Sequence, residues 1–253
     1  MSEMNSNRRF MQCPNFSEPM KQSDQSKGIP APPLGKPVTG ELTVLPPFDG
    51  IQTIPLYADI LDKRRSERKY SDKPLTQAQL AFMLWSAQGI QGPRGPGSFR
   101  PVPSGGARHP FETYVAVQSV EGLAPAIYHY LPTENVGEKR CTIQRSGELP
   151  SADQITAMLS GQSWAAQAPI VLFYSCVPYK AEWRYVETAH RVMLIDLGHV
   201  GQNAMLSAAS LGLGSCCMAA YDQQLCDAAL GVDGIDEYTV YVIAVGTPTK
   251  ALL

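Results

Sequence analysis

The sequence predicts an α+β fold in which an internal sheet is flanked by helices. Three observations carry that expectation. Short apolar runs of strand composition recur through the second half of the chain, other segments have helical spacing with recognisable ends, and the two kinds do not alternate regularly enough for a doubly wound parallel sheet. The 253 residues suit one large domain or two small ones, and 44% hydrophobic residues supply a full core. A net charge of -2 gives no electrostatic footprint for nucleic acid, and 17% charged residues argue against a disordered chain. The longest uncharged stretch, Leu197 to Tyr221, is interrupted by Gly198, Gly201, Gln202, Asn203, Gly212 and Gly214, so no membrane span is expected. Met1 to Met20 lacks the apolar centre of a signal peptide. Cys13, Cys141, Cys176, Cys216, Cys217 and Cys226 form no CxxC pair and no zinc spacing with histidine, so no metal is expected. Reduced thiols in a cytoplasmic protein fit this usage, with the vicinal Cys216-Cys217 read as two small buried side chains.

Fifteen of the 21 prolines precede residue 111, eight of them within the first 50 residues. Residues 1–45 are therefore read as a Pro-rich extended arm, neither regular helix nor central strand. Its Phe16, Leu34, Val44 and Leu45, with Phe48 just beyond, favour docking on the body, residues 46–253, or on a partner subunit. Leu56, Ile60 and Leu61 have helical spacing up to Arg64. Thr76 and Gln79 form a capping box that opens a helix to about Gln88. Residues 89–106 form a Gly/Pro-rich loop, long enough to suggest a functional role. Strands are expected at 112–118, 127–131 and 141–144, a helix at 152–159 and a buried strand at 169–177. A single long helix is expected over 182–211, apolar on most of its circumference and so buried in a core or between subunits. The turn 211–215, a strand at 216–221, a short helix at 222–231 and a strand at 238–246 complete the order.

Three segments carry candidate chemistry. KRRSERKYSDK (63–73) holds six basic residues against Glu67 and Asp72. A solvated charge run is one reading; the other is a site, because Arg64, Ser66 and Arg68 alternate in extended chain and point the same way. Two guanidiniums and a hydroxyl on one side suit a phosphate or an anionic ring. PVPSGGARHPFE (101–112) leads into a strand, so Ser104, Gly105 and Gly106 lie at its mouth, where glycines let a flat ligand approach the backbone. GLGSCC (212–217) uses Gly212 as a helix stop and leaves Gly214 and Ser215 to offer backbone N–H groups. Asp196 and His199 lie one turn apart, and a core hydrogen bond is the reading preferred to a metal. No Gly-x-Ser-x-Gly elbow supports hydrolase chemistry.

These segments in this order, RRSERKYSDKPLT, PSGGARHPFETYVAV, WRYVETAHRVMLIDLGHVGQNAMLSAASLGLGSC and YVIAVGTP, resemble the nitroreductase flavoprotein superfamily. More narrowly they are similar to the branch of SagB-type peptide thiazole/oxazole dehydrogenases, over about residues 45–250. The resemblance implies a central, mostly antiparallel sheet flanked by helices, a homodimer, and FMN at the dimer interface. It implies that Arg64, beside Arg65, binds the phosphate, that Ser66 bonds the flavin, and that Arg68 is the catalytic cation at the pyrimidine edge. Pro103, Ser104 and Gly105 would line the flavin from the other subunit. Gly214 and Ser215 would approach its reactive edge, and Lys250 would be a second phosphate-binding cation. The activity implied is ping-pong reduction of a nitroaromatic, quinone or other small acceptor by NAD(P)H. Azoline peptide dehydrogenation in a peptide-modifying complex is an alternative, and a flavin-binding protein with little turnover a third. Arg184-Tyr185 stands where azoline dehydrogenases carry a Lys-Tyr pair. Arginine stays protonated and is a poor base, so Tyr185 alone is left as the proton-transfer candidate and the reductase reading is favoured.

Overall fold

The computed structural model describes residues 17–250; Cys13 and Phe16 lie outside the described residues. The elements in chain order are α1 (Ser17–Met20), β1 (Leu42–Val44), α2 (Tyr57–Lys63), α3 (Gln77–Gln88), β2 (Gly92–Arg94), β3 (Gly97–Phe99), β4 (Phe111–Val117), β5 (Ala126–Tyr130) and β6 (Thr142–Gly147). They continue with α4 (Ala152–Met158), β7 (Ile170–Cys176), α5 (Tyr179–Tyr185), α6 (Ala189–Ser210), β8 (Gly214–Met218), α7 (Gln223–Leu230) and β9 (Tyr238–Gly246). The main sheet has seven strands in the order β1-β6-β5-β4-β7-β9-β8, and every adjacent pair is antiparallel. The fold is α+β, with a central antiparallel sheet flanked by helices.

Alternation along the central strands explains why they read as unbroken apolar runs. In β7, Ile170, Leu172, Tyr174 and Cys176 enter one core with α3 and α6, whereas Val171 and Phe173 enter a second with α4 and α7. Ile243 and Val245 of β9 divide from Val242 and Ala244 in the same way. Successive side chains point to opposite faces, so a strand covered on both faces has no polar side to show.

The Thr76–Gln79 capping box is formed, with each side chain bonded to the other's backbone. Two expectations are corrected. The 89–106 loop contains a short hairpin, β2 paired with β3, turning at Gly95 with φ +53°. The helix expected over 182–211 is two helices, because α5 stops at Tyr185 and a tight turn at Val186–Thr188 precedes α6. Val186 has φ 52° and ψ -135°, which no helix accommodates and which strains a β-branched residue. Within one chain α6 leaves Leu194 and Ile195 55% and 50% exposed.

Within the arm, β1 pairs with β6 at the edge of the sheet, and Leu45 and Phe48 are buried in the first core. Upstream, the arm is tied to α5. Gln25 N–H donates to the Trp183 carbonyl at 2.9 Å, Trp183 Nε1 to the Ile29 carbonyl at 2.8 Å, and Tyr179 Oη to Asp24 at 2.9 Å. The part-exposed Lys36 pairs with the buried Glu237. Among the described residues no helix is long and apolar enough to cross a membrane.

Candidate functional site

The candidate residues fall into two groups at the two ends of α6. The first is built on the basic segment after α2. Ser66 forms a parallel bridge with Ser215 of β8, and Glu67 N–H donates to the Ser215 carbonyl at 2.9 Å. Gly214 permits this approach, since a Cβ there would lie 2.6 Å from the Glu67 side chain. Glu67 turns its carboxylate onto the N–H groups of Arg68 and Lys69, at 2.8 and 2.7 Å. Arg64 and Arg68 form no ion pair with any described residue. Arg68 is exposed, with its guanidinium 5.6 Å from the Trp164 ring centroid. Arg65 is differently placed: it donates back to the Asp62 and Arg64 carbonyls and so caps α2. The stretch after β9 returns to the same segment, where Thr249 N–H donates to the Lys69 carbonyl at 3.2 Å, which sets Lys250 beside it.

Cys216 follows Ser215 into β8. Burial raises its thiol pKa, against Arg68 and a hydrogen bond with Ser66 that lower it, so at neutral pH the sulfur is an uncharged neighbour of the segment.

The second group surrounds Ser104. Its hydroxyl donates to Asp196 Oδ2 at 2.7 Å and accepts from His109 N–H at 2.9 Å. Gly105 N–H donates to the same carboxylate at 3.0 Å. Asp196, expected as a core hydrogen-bonding residue, is the anchor of the loop. Burial raises its pKa, and the bonds from Ser104 and Gly105 only partly oppose this. Pro103 is exposed at the loop's outer side. The loop lies against Tyr185: a Cβ on Gly106, at φ +58°, would meet Tyr185 Oη at 2.7 Å and Arg184 Cδ at 2.7 Å. Ala107, His109 and Val186 also have positive φ, at 55°, 44° and 52°. Strain of this kind is held only where surrounding contacts over-determine it, and it concentrates at working sites.

The structure thus sets the segment of Arg64, Ser66 and Arg68 against Gly214 and Ser215, with Lys250 next to the residue bonded to Lys69, and separately brings the loop of Pro103, Ser104 and Gly105 to Tyr185. It does not join the two groups within one chain. From Asp196 to Ser210, α6 runs about 21 Å at 1.5 Å per residue, and Ile54, leading to α2, is bonded to the Ser210 carbonyl at the far end.

Sequence reasoning missed Trp164, Asp196 as an anchor, and a buried network behind α5. There Lys180 pairs with Glu112, which accepts from His129 at 3.0 Å. Burial pushes the Glu112 carboxyl up, but Lys180 and His129 outweigh it and hold it at about 2. Lys180, one turn before Arg184, is therefore committed to Glu112 and does not replace the lysine absent at 184.

Comparison with known proteins identifies the family of the chain. The Nitroreductase family matches residues 61–247. The nitroreductase-named protein MJ1384 of Methanocaldococcus jannaschii is 34% identical over 189 residues, 74% of this chain and 89% of that protein. The microcin B17-processing protein McbC of Escherichia coli is 29% identical over 144 residues, and the match spans 54% of this chain and about half, 51%, of McbC. Among solved structures, a nitroreductase-named protein from Desulfovibrio desulfuricans in complex with FMN has a TM-score of 0.51 at 18% identity, covering 78% of this chain and 89% of that one. With both the sequence match and the shared sheet and helix arrangement in place, this chain belongs to the nitroreductase family.

Proposed function

We propose that this chain is an FMN-dependent oxidoreductase that passes electrons from NAD(P)H to a small acceptor such as a nitroaromatic or quinone. The observation that carries the reading is the donor set on the segment locked to β8. Arg64 and Arg68 form no ion pair among the described residues, Ser66 adds a hydroxyl, and the stretch leading to Lys250 runs against Lys69 and Tyr70 of the same segment. Cations and a hydroxyl suit a phosphate and the electron-rich edge of a ring, and the one carboxylate of the segment, Glu67, is held on backbone N–H groups rather than on the guanidiniums. These residues fit FMN, the group contained in the Desulfovibrio desulfuricans relative.

When bound, FMN supplies reversible two-electron hydride chemistry. Arg64 and Lys250 would hold the phosphate, Ser66 would fix orientation, and Arg68 would stabilise negative charge that grows on reduction. Because Arg65 is turned onto α2, its part is to keep this segment in place. Pro103 to Gly105 would cover the ring from a second subunit. A homodimer resolves the distance between the two groups along α6, since one copy's basic segment would meet the other copy's loop, and the exposed Leu194 and Ile195 would be covered. Purified protein is expected to be yellow and to release FMN on heating. A colourless protein that takes up no added FMN would refute this reading.

The similarity to McbC supports a second reading, azoline oxidation on a peptide. It would rest on Tyr185 without a neighbouring free lysine. Activity with NAD(P)H and a quinone, compared with an azoline peptide and oxygen, separates the two. Azole formation abolished by Tyr185→Phe, with no NAD(P)H turnover, would select the second.

A further inference from the structure

Beside Tyr185 the chain gathers two arginines with no acid to answer them. Arg108 is only 3% exposed. Its Nη2 donates to the Pro96 carbonyl at 2.8 Å, and its guanidinium lies 4.9 Å from the Trp183 ring centroid. Arg184 donates to Gln25 Oε1 at 2.9 Å and lies 5.5 Å from the Tyr185 ring centroid. Burial, and then the charge of Arg184, lowers the Arg108 pKa, so the two cations feel one another.

Neither forms an ion pair with a described residue. The Nε of each is buried without an acceptor among the described residues. Glu182 pairs with His190 at 2.9 Å, Asp24 accepts from Tyr179, Asp196 holds the Ser104 loop, and the exposed Glu187 forms no ion pair with either arginine. Like charges brought together in a partly buried place are costly unless something compensates them. The place itself is the mouth of the strained loop, since Arg184 Nε would lie 2.8 Å from a Cβ on Gly106.

We propose that Arg108 and Arg184 form an oxyanion-recognition pair that binds a carboxylate or phosphate of the molecule oxidised or reduced beside Tyr185. This rests on the reading of the site as an oxidoreductase centre. Guanidinium forks match the planar or tetrahedral oxygens of such groups and bind them with two donors at once. The cofactor's own phosphate is already assigned to Arg64 and Lys250, which the proposed dimer would bring to this loop from the other copy, so this pair is left for the substrate. Gln25, supplied by the arm, holds one N–H of Arg184 and aims the rest, which makes it a positioning residue for the pair.

The test uses FMN-loaded protein and compounds differing only in charge. Oxidised holoprotein is titrated calorimetrically with para-nitrobenzoate and its neutral amide, and kcat/KM is measured for both. Reduced nicotinamide mononucleotide is compared with the reduced riboside, which lacks the phosphate. Wild type is expected to prefer the anionic member of at least one pair by about tenfold, the scale of one charge-assisted hydrogen bond. Arg184→Gln should abolish that preference and Arg184→Lys should retain part of it; which pair responds identifies the source of the oxyanion. Arg108 is too deeply buried for its variant to be decisive, so Arg184, the less buried of the two, carries the test. Equal affinity for charged and neutral members in wild type, or a preference unchanged in Arg184→Gln, overturns the proposal. Anion preference in binding without any turnover would instead overturn the oxidoreductase reading and leave the pair standing.

Discussion

At the residue scale, buried groups in the Ser104 loop set most of what can be measured. Asp196→Ala would leave the Ser104 hydroxyl and the Gly105 N–H without their acceptor, a loss of about 1–3 kcal/mol for a buried polar group. Urea unfolding checks the stability, and flavin retention checks the loop. Gly106→Ala should be comparably harmful, because strained positive φ costs about 1–3 kcal/mol and the new methyl would strike Tyr185 Oη. His109 sets a pH dependence. Burial, then Arg100, depresses its pKa to about 3, whereas an unfolded histidine titrates at about 6.5. The unfolded chain therefore binds more protons between these values. This stability is fully present above about pH 6.5 and is lost as pH falls toward 3. Unfolding midpoints at pH 5 and 7.5 should differ in wild type and converge in His109→Gln; an unchanged difference would contradict the assignment.

At the element scale, the arm behaves as part of the body. Lys36 reaches both Glu237 and the Tyr114 hydroxyl, the latter at 2.7 Å, and Glu237 also accepts from Ser175 at 2.6 Å. Removing Lys36 leaves a largely covered carboxylate without its cation. Because Lys36 itself is part-exposed, the loss in Lys36→Met should be about 1–3 kcal/mol, below the cost of breaking a fully buried pair. Glu237→Gln in the same chain should restore part of it, and a double-mutant cycle by urea unfolding measures the coupling.

Elements also show where sequence reading succeeds. Strands covered on both faces are legible as apolar runs, and the helix opened by Thr76 and Gln79 is legible from its cap. The break at Val186 is not, because neither glycine nor proline marks it; contacts of Tyr185 with the distant Gly105–Gly106 loop hold it. The small β2–β3 hairpin hides among glycines and prolines that read as loop. Ser104 and Asp196 are far apart in sequence, so their bond has no local signature. The basic segment, by contrast, stands out in the sequence as a local charge run, six basic residues within 63–73.

At the scale of the whole molecule, the proposed homodimer would join the two groups of candidate residues and cover Leu194 and Ile195, which are exposed on α6. Leu194→Glu with Ile195→Glu is expected to give a monomer by sedimentation and to lose FMN in the same preparation. A flavin-loaded monomer would show that one chain suffices.

The strip carrying Arg64 to Arg68 has one further consequence. One margin of the sheet is the three-residue β1, and the other, β8, is bordered by Ser66 and Glu67 through a single bridge and a backbone bond. An unguarded strand margin is a template on which another polypeptide can add. A ligand that grips those arginines therefore also keeps the guard in place. Flavin-stripped protein should be the form that precipitates on storage, with a β-rich infrared signature, and restoring FMN before that point should keep it in solution.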